Sequence, residues 1–181
     1  MKPLADVLLT PDEAARMRAS GKVDAAVLIP WYDDPARGPV LVLTERRHDL
    51  RKHAGEISFP GGRRDDGEDL VVTALREAEE EIGLDRTTVQ VAGALAPIGT
   101  MVTGYRVYPF VGVIDDLPEW TPQVTEVAEV LELSLADLVA GRRYKPVRGM
   151  PLPTLSFTVD GHVVWGATAR ILDQLLKRLT R

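Results

Sequence analysis

One short amphipathic segment constrains the fold of this chain more than any other stretch of its sequence. Between Asp69 and Ile82 the apolar residues recur at the spacing of an α-helix that buries one face. These residues are Val71, Ala74, Leu75, Ala78 and Ile82. Gly83 follows directly and fits a helix C-terminus. The segment therefore predicts a helix over 69–82 that packs on a larger core.

Three glutamates converge on the polar side of this predicted helix. At 100° per residue, Glu77, Glu80 and Glu81 lie within about 100° of arc, whereas Glu79 points away from them. Each like-charged pair one turn apart costs roughly 0.2–0.5 kcal/mol. Arg76 can offset part of this repulsion through Glu80, but one cation does not neutralise three carboxylates. The cluster fits a site for a hard divalent cation, Mg2+ or Mn2+, and a solvated helix face is the alternative.

The residues around this helix resemble the Nudix box, G-x5-E-x7-R-E-U-x-E-E-x-G-U, in which U is an aliphatic or similar apolar residue. Every specified position is filled over residues 62–84. The filled positions are Gly62, Glu68, Arg76, Glu77, Ala78, Glu80, Glu81, Gly83 and Leu84. The resemblance implies a Nudix hydrolase of the α/β class, an α/β/α sandwich with a mixed β-sheet between helices.

The same resemblance implies a role for each polar residue of the box. Arg76 would orient the glutamates, Glu68 would tie the glycine loop to the helix, and Gly83 would end the helix. The implied reaction is hydrolysis of a diphosphate by water that a metal ion activates. The implied ligands of Mg2+ or Mn2+ are Glu77, Glu80, Glu81 and a backbone carbonyl of Gly61 or Gly62.

The carboxylate that accepts the proton from water is not fixed by the box. In this family it comes from the box or from a later loop, and the candidates in the segment TEVAEVLEL are Glu126 and Glu129. Glu129 better fits the polar face of a strand. Glu126 is therefore the predicted catalytic base outside the box.

The stretch upstream of the box is similar to the signature of the coenzyme A branch of the family, L-L-T-x-R-S-x3-R-x3-G-x3-F-P-G-G. Two positions depart from it, because Val42 replaces the first leucine and Arg47 replaces the serine. The segment WGATARIL, from Trp165, also resembles that branch. The matching residues are Thr44, Arg46, Arg51, Gly55, Phe59, Pro60, Gly61 and Gly62.

This upstream stretch also holds the densest basic cluster of an acidic chain. A guanidinium fork suits phosphate oxygens, and coenzyme A carries a 3′-phosphate besides its diphosphate. Neutralisation of nearby acidic residues is the alternative role. A glycine turn lets the backbone approach a ligand closely. The predicted substrate-binding residues are Arg46, Arg47, Arg51, Lys52 and Gly61.

The predicted activity is metal-dependent cleavage of coenzyme A or its derivatives. The products would be 4′-phosphopantetheine, or its acyl form, and adenosine 3′,5′-bisphosphate. A diphosphatase for ADP-ribose, NADH or another nucleoside diphosphate derivative is the alternative, which the departure at Arg47 keeps open. A non-catalytic Nudix module that senses a nucleotide is a third interpretation, although no box glutamate is missing.

The length, charge and composition of the chain exclude several classes of protein. With 181 residues it is long enough for one sizeable core, so we expect a single domain over residues 1–181. The formal charge of −5 argues against nucleic-acid or membrane partners, and the absence of cysteine excludes disulfides. No run approaches the roughly 20 apolar residues of a membrane span. We expect a cytoplasmic protein. The resemblance to the family also implies a homodimer.

Local sequence patterns elsewhere in the chain predict the other helices, strands and turns. An N-terminal helix should begin after Thr10 and end near Gly21, the stretch 48–64 should be mostly loop, and Pro109 suggests an edge strand or a bulge. Asp160-Gly161 signals a tight hairpin. Strands are predicted at 24–32, 39–46, 88–96, 106–114, 125–133, 154–159 and 162–166, with helices at 134–141 and 168–179.

Overall fold

The computed structural model describes residues 3–50, 54–100, 103–115, 118–146 and 152–180. Its helices are α1 (Leu4–Val7), α2 (Pro11–Arg16), α3 (Leu70–Ile82), α4 (Leu135–Gly141) and α5 (Gly166–Thr180), with a 3-10 turn at Arg86–Thr88. Its strands are β1 (Val23–Asp34), β2 (Gly38–Arg46), β3 (Ile57–Ser58), β4 (Gly61–Arg63), β5 (Val89–Ala94), β6 (Ile98–Gly99), β7 (Tyr105–Ile114), β8 (Val127–Ser134), β9 (Arg142–Lys145), β10 (Thr154–Val159) and β11 (His162–Trp165). None of the helices in these ranges combines the length and apolarity that a bilayer crossing requires.

A mixed sheet of eight strands runs through the middle of the described chain. Its long central strands, β1 and β7, pair in parallel from Val23 opposite Tyr105 to Trp31 opposite Val113. The other pairs are antiparallel: β2 with β1, β3 and β8, β4 with β1, and β5 and β6 with β7. The sheet therefore combines one parallel pair with antiparallel neighbours, as the fold prediction requires.

Helices cover both faces of this sheet, because successive residues of a strand point to opposite sides. On one face, Ala78 and Ile82 of α3 join an apolar cluster with Leu28 and Phe110 of the central strands. On the other face, Leu172 and other residues of α5 join the cluster that contains Ile29 and Val111. The prediction of an α/β/α sandwich with a mixed sheet is confirmed.

The helix that carries the glutamates has the predicted bounds. It follows Asp69 as N-cap and ends at Ile82, and Gly83 closes it with φ 72° and an N–H bonded to the Glu79 carbonyl at 3.0 Å. Two other local predictions are also confirmed. Ser134 caps α4 by accepting from the Asp137 N–H at 3.0 Å, and the β10–β11 hairpin turns through Asp160 and Gly161 with φ 49° and 86°.

The N-terminal helix is shorter than predicted. Thr10 and Glu13 form the predicted capping box, but α2 ends at Arg16 rather than near Gly21. Met17 is already extended with ψ 148°, and farther along the chain a Cβ on Gly21 would lie 2.6 Å from the backbone of Arg106 and Tyr105. The chain must approach β7 in an extended form here, so tertiary packing overrides the helical pattern.

The stretch 48–64 is mostly loop in its described residues, as predicted, but it also contains the short strands β3 and β4, and β4 pairs with β1 next to the glycine loop. The prediction of an edge strand at Pro109 is wrong. Pro109 lies in an interior strand, because β7 pairs with β1 on one side and with β5 and β6 on the other. Proline is tolerated there because the ladder changes from β5 to β6 at this point, where Pro109 still accepts the Leu95 N–H at 2.9 Å.

A second, three-stranded sheet packs beside the first within the described residues. Its order is β11-β10-β9, and every pair is antiparallel. The β10–β11 hairpin is predicted, whereas β9 is not, because its sequence Arg-Arg-Tyr-Lys shows no apolar alternation. Three of the four β9 residues are exposed. This sheet forms the side of the molecule that holds α5.

Candidate metal and diphosphate site

Two glycines allow the glutamate helix to approach the sheet closely. Gly61 and Gly62 begin β4, which pairs antiparallel with β1 directly beneath α3. A Cβ on Gly62 would overlap the carboxyl group of Glu77. The Gly61 N–H donates to a carboxylate oxygen of Glu81 at 3.3 Å. The glycine loop and the last two turns of α3 therefore form one continuous surface of oxygens and N–H groups.

Gly62→Ala is expected to lower activity by about 10- to 100-fold, because the new methyl group displaces the Glu77 carboxylate from the loop. Its Tm should change by only a few degrees, since the clashing group is the end of a flexible side chain. Steady-state kinetics and thermal unfolding measure the two effects.

The loop variant Gly67→Ala is the control with the opposite expected result. It meets no atom within 4 Å but has φ 78°, so it should lose stability and keep its activity. Equal activity in the two variants would contradict this packing.

Arg76 connects three glutamates through one guanidinium group. Its Nε and Nη2 donate to the two oxygens of Glu68 at 2.9 and 3.1 Å. Its Nη1 donates to Glu77 at 2.8 Å and to Glu80 at 3.2 Å. The side chain is only 18% exposed. The planar fork thus fixes the orientation of box glutamates, which is the arrangement predicted for Arg76.

Glu68 links the loop before α3 to the helix itself. One of its oxygens accepts from the Thr73 hydroxyl at 2.8 Å and from the Asp65 N–H at 3.4 Å. The paired Arg76 guanidinium lowers the pKa of Glu68 to about 2. A carboxylate that is ionised at every physiological pH and has four donors holds this loop in one conformation. This is the connection predicted for Glu68.

Burial raises the pKa of two carboxyl groups in the cluster. Desolvation raises the pKa of Glu77, and hydrogen bonding to Arg76 offsets part of that effect. Desolvation and the neighbouring Glu77 charge together raise the pKa of Glu81 to about 8. The Glu81 carboxyl group therefore needs a nearby cation to be fully ionised near neutral pH.

The donor set fits a divalent cation of the Mg2+ and Mn2+ class, because every donor is a hard oxygen. Within the described ranges the carboxylates do not already converge as three ligands around one point. Instead Arg76 holds Glu77 and Glu80, and Gly61 holds Glu81. Side-chain rotation would therefore accompany metal binding. The residues that could hold the ion are Glu77, Glu80, Glu81 and the backbone carbonyl of Gly61 or Gly62.

Glu79 does not belong to this cluster, as the helical geometry predicts. Its carboxylate forms an ion pair with Arg86 at the start of the 3-10 turn, with Nε at 2.8 Å. The pairing lowers the pKa of Glu79. Glu79 thus forms an ion pair on the surface and provides a reference carboxylate outside the site.

Arg46 and Glu126 stand together beside the cluster. Arg46 Nη1 lies 3.5 Å from a Glu126 oxygen. The Glu126 charge raises the pKa of both Glu77 and Glu81, and the Arg46 charge lowers that of Glu81. Arg46 Nε is buried and has no hydrogen-bond partner among the described residues, so it lacks an acceptor of the kind that a phosphate oxygen supplies. Both predicted residues therefore lie within electrostatic range of the box.

The other predicted residues of the basic cluster have different positions. Arg47 donates to both oxygens of Asp49 at 2.9 and 2.7 Å and to the Val124 carbonyl at 2.7 Å. Arg51 and Lys52 lie outside the described residues. Glu129 is exposed and opposite Glu45 in the β2–β8 ladder, in agreement with its predicted place on the polar face of a strand.

Two features of the site have no signal in the sequence. The segment after β7 returns to the end of α3, where the Gln123 N–H donates to the Glu81 carbonyl at 2.9 Å. On the opposite side of β2, Glu45 contacts His48 Nε2 at 2.9 Å and His162 Nδ1 at 3.5 Å. None of these three contacts belongs to a sequence motif, and those of Gln123 and His162 join residues far apart in the chain, so no local pattern predicts them.

The arrangement combines acidic and basic groups with a candidate proton acceptor. Carboxylates and backbone carbonyls could act as metal ligands, Arg46 could pair with phosphate oxygens, and Glu126 places a carboxylate at the edge. Such a surface can neutralise a diphosphate and accept a proton from water.

Comparisons with known proteins agree with this chemistry. The family model described as the NUDIX domain matches residues 22–154. A relative from Escherichia coli (strain SMS-3-5 / SECEC), described as an "Uncharacterized Nudix hydrolase NudL", is 43% identical over 157 residues, which cover 83% of this chain and 80% of that protein.

Solved structures show the same fold at low identity. The Nudix domain of Shewanella oneidensis NrtR, solved with ADP ribose, has a TM-score of 0.60 and 16% identity, covering 87% of this chain and 88% of that one. The Nudix hydrolase RenU from M. smegmatis has a TM-score of 0.56 and 20% identity, covering 95% and 92%. From the family match and the close relative, the chain belongs to the Nudix hydrolases, enzymes that cleave diphosphate bonds in nucleotide derivatives and generally use divalent metal ions.

Proposed function

We propose that the substrate is coenzyme A or one of its derivatives, cleaved to 4′-phosphopantetheine, or its acyl form, and adenosine 3′,5′-bisphosphate. The observation that carries the proposal is the position of Arg46, a residue of the coenzyme A signature. Its guanidinium is 3.5 Å from Glu126 and has a buried Nε without a partner among the described residues. The same signature ends in Gly61 and Gly62, which contact Glu81 and Glu77.

The substrate would lie across the glycine loop and the end of β2. Arg46 would bind a phosphate oxygen through its fork, and the backbone of Gly61 would approach the diphosphate. Arg51 and Lys52 remain proposed contacts for further phosphate oxygens, such as the 3′-phosphate. Arg47, which the sequence also predicts as a substrate contact, instead donates from Nε, Nη1 and Nη2 to Asp49 and the Val124 carbonyl.

Hydrolysis would use the box residues to hold Mg2+ or Mn2+ and the flanking residues to orient substrate and water. Glu77, Glu80 and Glu81 would be ligands, and Arg76 would hold two of them in place. A bound divalent cation neutralises diphosphate charge and makes water more acidic. Water adds to one phosphorus atom, the bond from that phosphorus to the bridging oxygen breaks, and both products leave as phosphate monoesters.

Glu126 is the proposed general base. It would accept the proton of the attacking water, because its carboxylate is half-exposed at the edge of the cluster and can contact solvent. The buried Glu81 is the alternative inside the box. Glu126→Gln separates the two, since a base outside the box should cost about 100- to 10,000-fold in kcat when it is replaced.

A diphosphatase for ADP-ribose, NADH or a related nucleotide is the second candidate. One observation favours it, because Arg47 stands where the coenzyme A signature has serine. In addition, the NrtR Nudix domain that shares this fold was solved with ADP ribose. Both candidates use the same metal site and differ only in the groups that flank the diphosphate.

A substrate panel tests the proposal. The purified protein with Mg2+ or Mn2+ is incubated with coenzyme A, ADP-ribose, NADH and nucleoside triphosphates, and kcat/KM is measured for each. We expect coenzyme A or an acyl derivative to have the highest kcat/KM, with adenosine 3′,5′-bisphosphate as a product. A higher value for ADP-ribose or NADH would overturn the proposed specificity and favour the second candidate.

The family and the sequence also support proposals about the wider properties of the protein. We propose a single domain over residues 1–181, a cytoplasmic location, and a small-molecule diphosphate rather than nucleic acid or a membrane as the partner. A homodimer is also proposed, and light scattering of the purified protein measures its mass. A mass of one chain at micromolar concentration would contradict the dimer.

A further inference from the structure

The chain segment that carries Glu126 is held at both ends by polar contacts. We define residues 121–126 as the Glu126 segment. At its start, the Thr121 and Gln123 N–H groups donate to the last carbonyls of α3, those of Ile82 at 3.0 Å and Glu81 at 2.9 Å. At its end, the Glu126 carbonyl accepts from the backbone N–H of Arg47 at 2.9 Å. The segment therefore bridges the box helix and the residue that follows β2.

The side chain of Arg47 adds a second contact to the middle of this segment. Nη1 donates to the Val124 carbonyl at 2.7 Å. Nε and Nη2 donate to the two oxygens of Asp49 at 2.9 and 2.7 Å, a bidentate pair that fixes the plane of the guanidinium. The serine of the coenzyme A signature has a hydroxyl on Cβ, too short to make these contacts together. Arg47 thus forms a brace between its own turn and the Glu126 segment.

The Glu126 segment has little apolar packing of its own. Val124 at its centre is 70% exposed, and the neighbouring residues of the segment are exposed or half-buried. A segment with few buried apolar contacts opens locally at low cost unless polar contacts restrain it. The brace is therefore positioned to determine where the Glu126 carboxylate lies relative to Arg46, Glu77 and Glu81.

We infer that Arg47 is a positioning residue that holds Glu126 beside the metal cluster, rather than a residue that contacts substrate. This inference rests on the proposed role of Glu126 as general base. The residue that departs from the coenzyme A signature therefore has a function in the hydrolytic step. It acts through the Val124 carbonyl and the backbone of Glu126.

A double-mutant cycle tests the coupling between Arg47 and Glu126. Arg47→Met should lower kcat roughly 10- to 100-fold with KM changed less than twofold, because a displaced base impairs the reaction and leaves binding intact. In a Glu126→Gln background the same substitution should have almost no further effect on kcat. Arg47→Lys, which keeps one donor for the Val124 carbonyl, should recover part of the lost kcat.

Arg37→Met is the matched control. Arg37 precedes β2 as Arg47 follows it, pairs with Asp34 at 3.2 Å, donates to the Glu132 carbonyl at 3.5 Å, and has 43% side-chain exposure against 41% for Arg47. It lies outside the proposed site, so its removal should leave kcat and KM unchanged. Hydrogen exchange without metal gives a readout independent of activity. Amides of residues 121–127 should exchange faster in Arg47→Met and not in Arg37→Met.

Three results would overturn the inference, and they differ from failure of the proposed specificity. An increase in KM with unchanged kcat in Arg47→Met would assign Arg47 to substrate binding. Additive losses of kcat in the cycle would show that Arg47 and Glu126 act independently. Unchanged kcat in Glu126→Gln would remove the base through which Arg47 is inferred to act. The cycle is run on whichever diphosphate the panel ranks first, so a wrong substrate assignment leaves this test intact.

Discussion

Replacing Glu80 with glutamine is expected to lower kcat roughly 1,000-fold while the protein stays folded. Glu80 is a proposed metal ligand, such a ligand contributes several kcal/mol to stabilisation of the transition state, and each 1.36 kcal/mol corresponds to a factor of ten in rate. The fold should tolerate the change, because the Glu80 side chain is 55% exposed and only its bond to Arg76 is lost. Steady-state kinetics on the best substrate, with circular dichroism to verify folding, measure both effects.

Glu79→Gln is the matched control for this prediction. It changes the neighbouring residue of the same helix by the same atoms, but Glu79 pairs with Arg86 away from the cluster. Its kcat should stay within about twofold of the wild type, because exposed ion pairs contribute little. If Glu80→Gln kept full activity as Glu79→Gln is expected to, Glu80 would have no catalytic role, and the proposed metal site would be wrong at this position.

The box helix could be predicted because its signals are local. The apolar spacing that ends in Ile82, the stop at Gly83 and the side shared by the glutamates all arise within α3, and the structure has each of them. The same holds for the Thr10 capping box and the Asp160-Gly161 turn. Such features depend on neighbours three or four residues apart, which a single sequence displays directly.

The parts that could not be predicted depend on residues far apart in the chain. The N-terminal helix ends before Gly21, which lies against β7, and Pro109 is interior because β7 has paired strands on both sides. Within the site, the contact of Arg47 with Val124 joins positions 77 residues apart. A basic cluster predicts phosphate contacts for every member, yet only the fold decides which guanidinium faces the box and which braces a loop.

Glu81→Gln is expected to remove a loss of stability that the metal-free wild type undergoes between about pH 5 and pH 8. Burial and the Glu77 charge raise the pKa of Glu81 to about 8 from an ordinary value of 4.5. In this pH range the folded state keeps a proton that the unfolded state releases. The contribution to stability is therefore fully present below pH 4.5 and is lost as the pH rises through 8.

The size of this effect makes it measurable by urea unfolding in the presence of a chelator. Each pKa unit corresponds to about 1.4 kcal/mol, so the free energy of unfolding of the wild type should fall by a few kcal/mol from pH 5.5 to pH 8.5 relative to Glu81→Gln. Glutamine cannot ionise, and its oxygen can still accept from the Gly61 N–H. The variant should thus be the more stable protein at pH 8.5 without metal.

Adding Mg2+ should reverse that order, because a cation that binds only the folded wild type stabilises it by mass action. Saturating Mg2+ at pH 8.5 should raise the free energy of unfolding of the wild type and change that of Glu81→Gln little.

Glu79→Gln again provides the control, since the pKa of Glu79 is lowered and the group stays ionised throughout this range. Parallel pH profiles for wild type and Glu81→Gln would show that Glu81 is not buried against Glu77 as the structure places it. The metal-free protein is thus expected to lose stability as the pH rises, because these glutamates are grouped at the end of one helix. Metal binding should restore that stability.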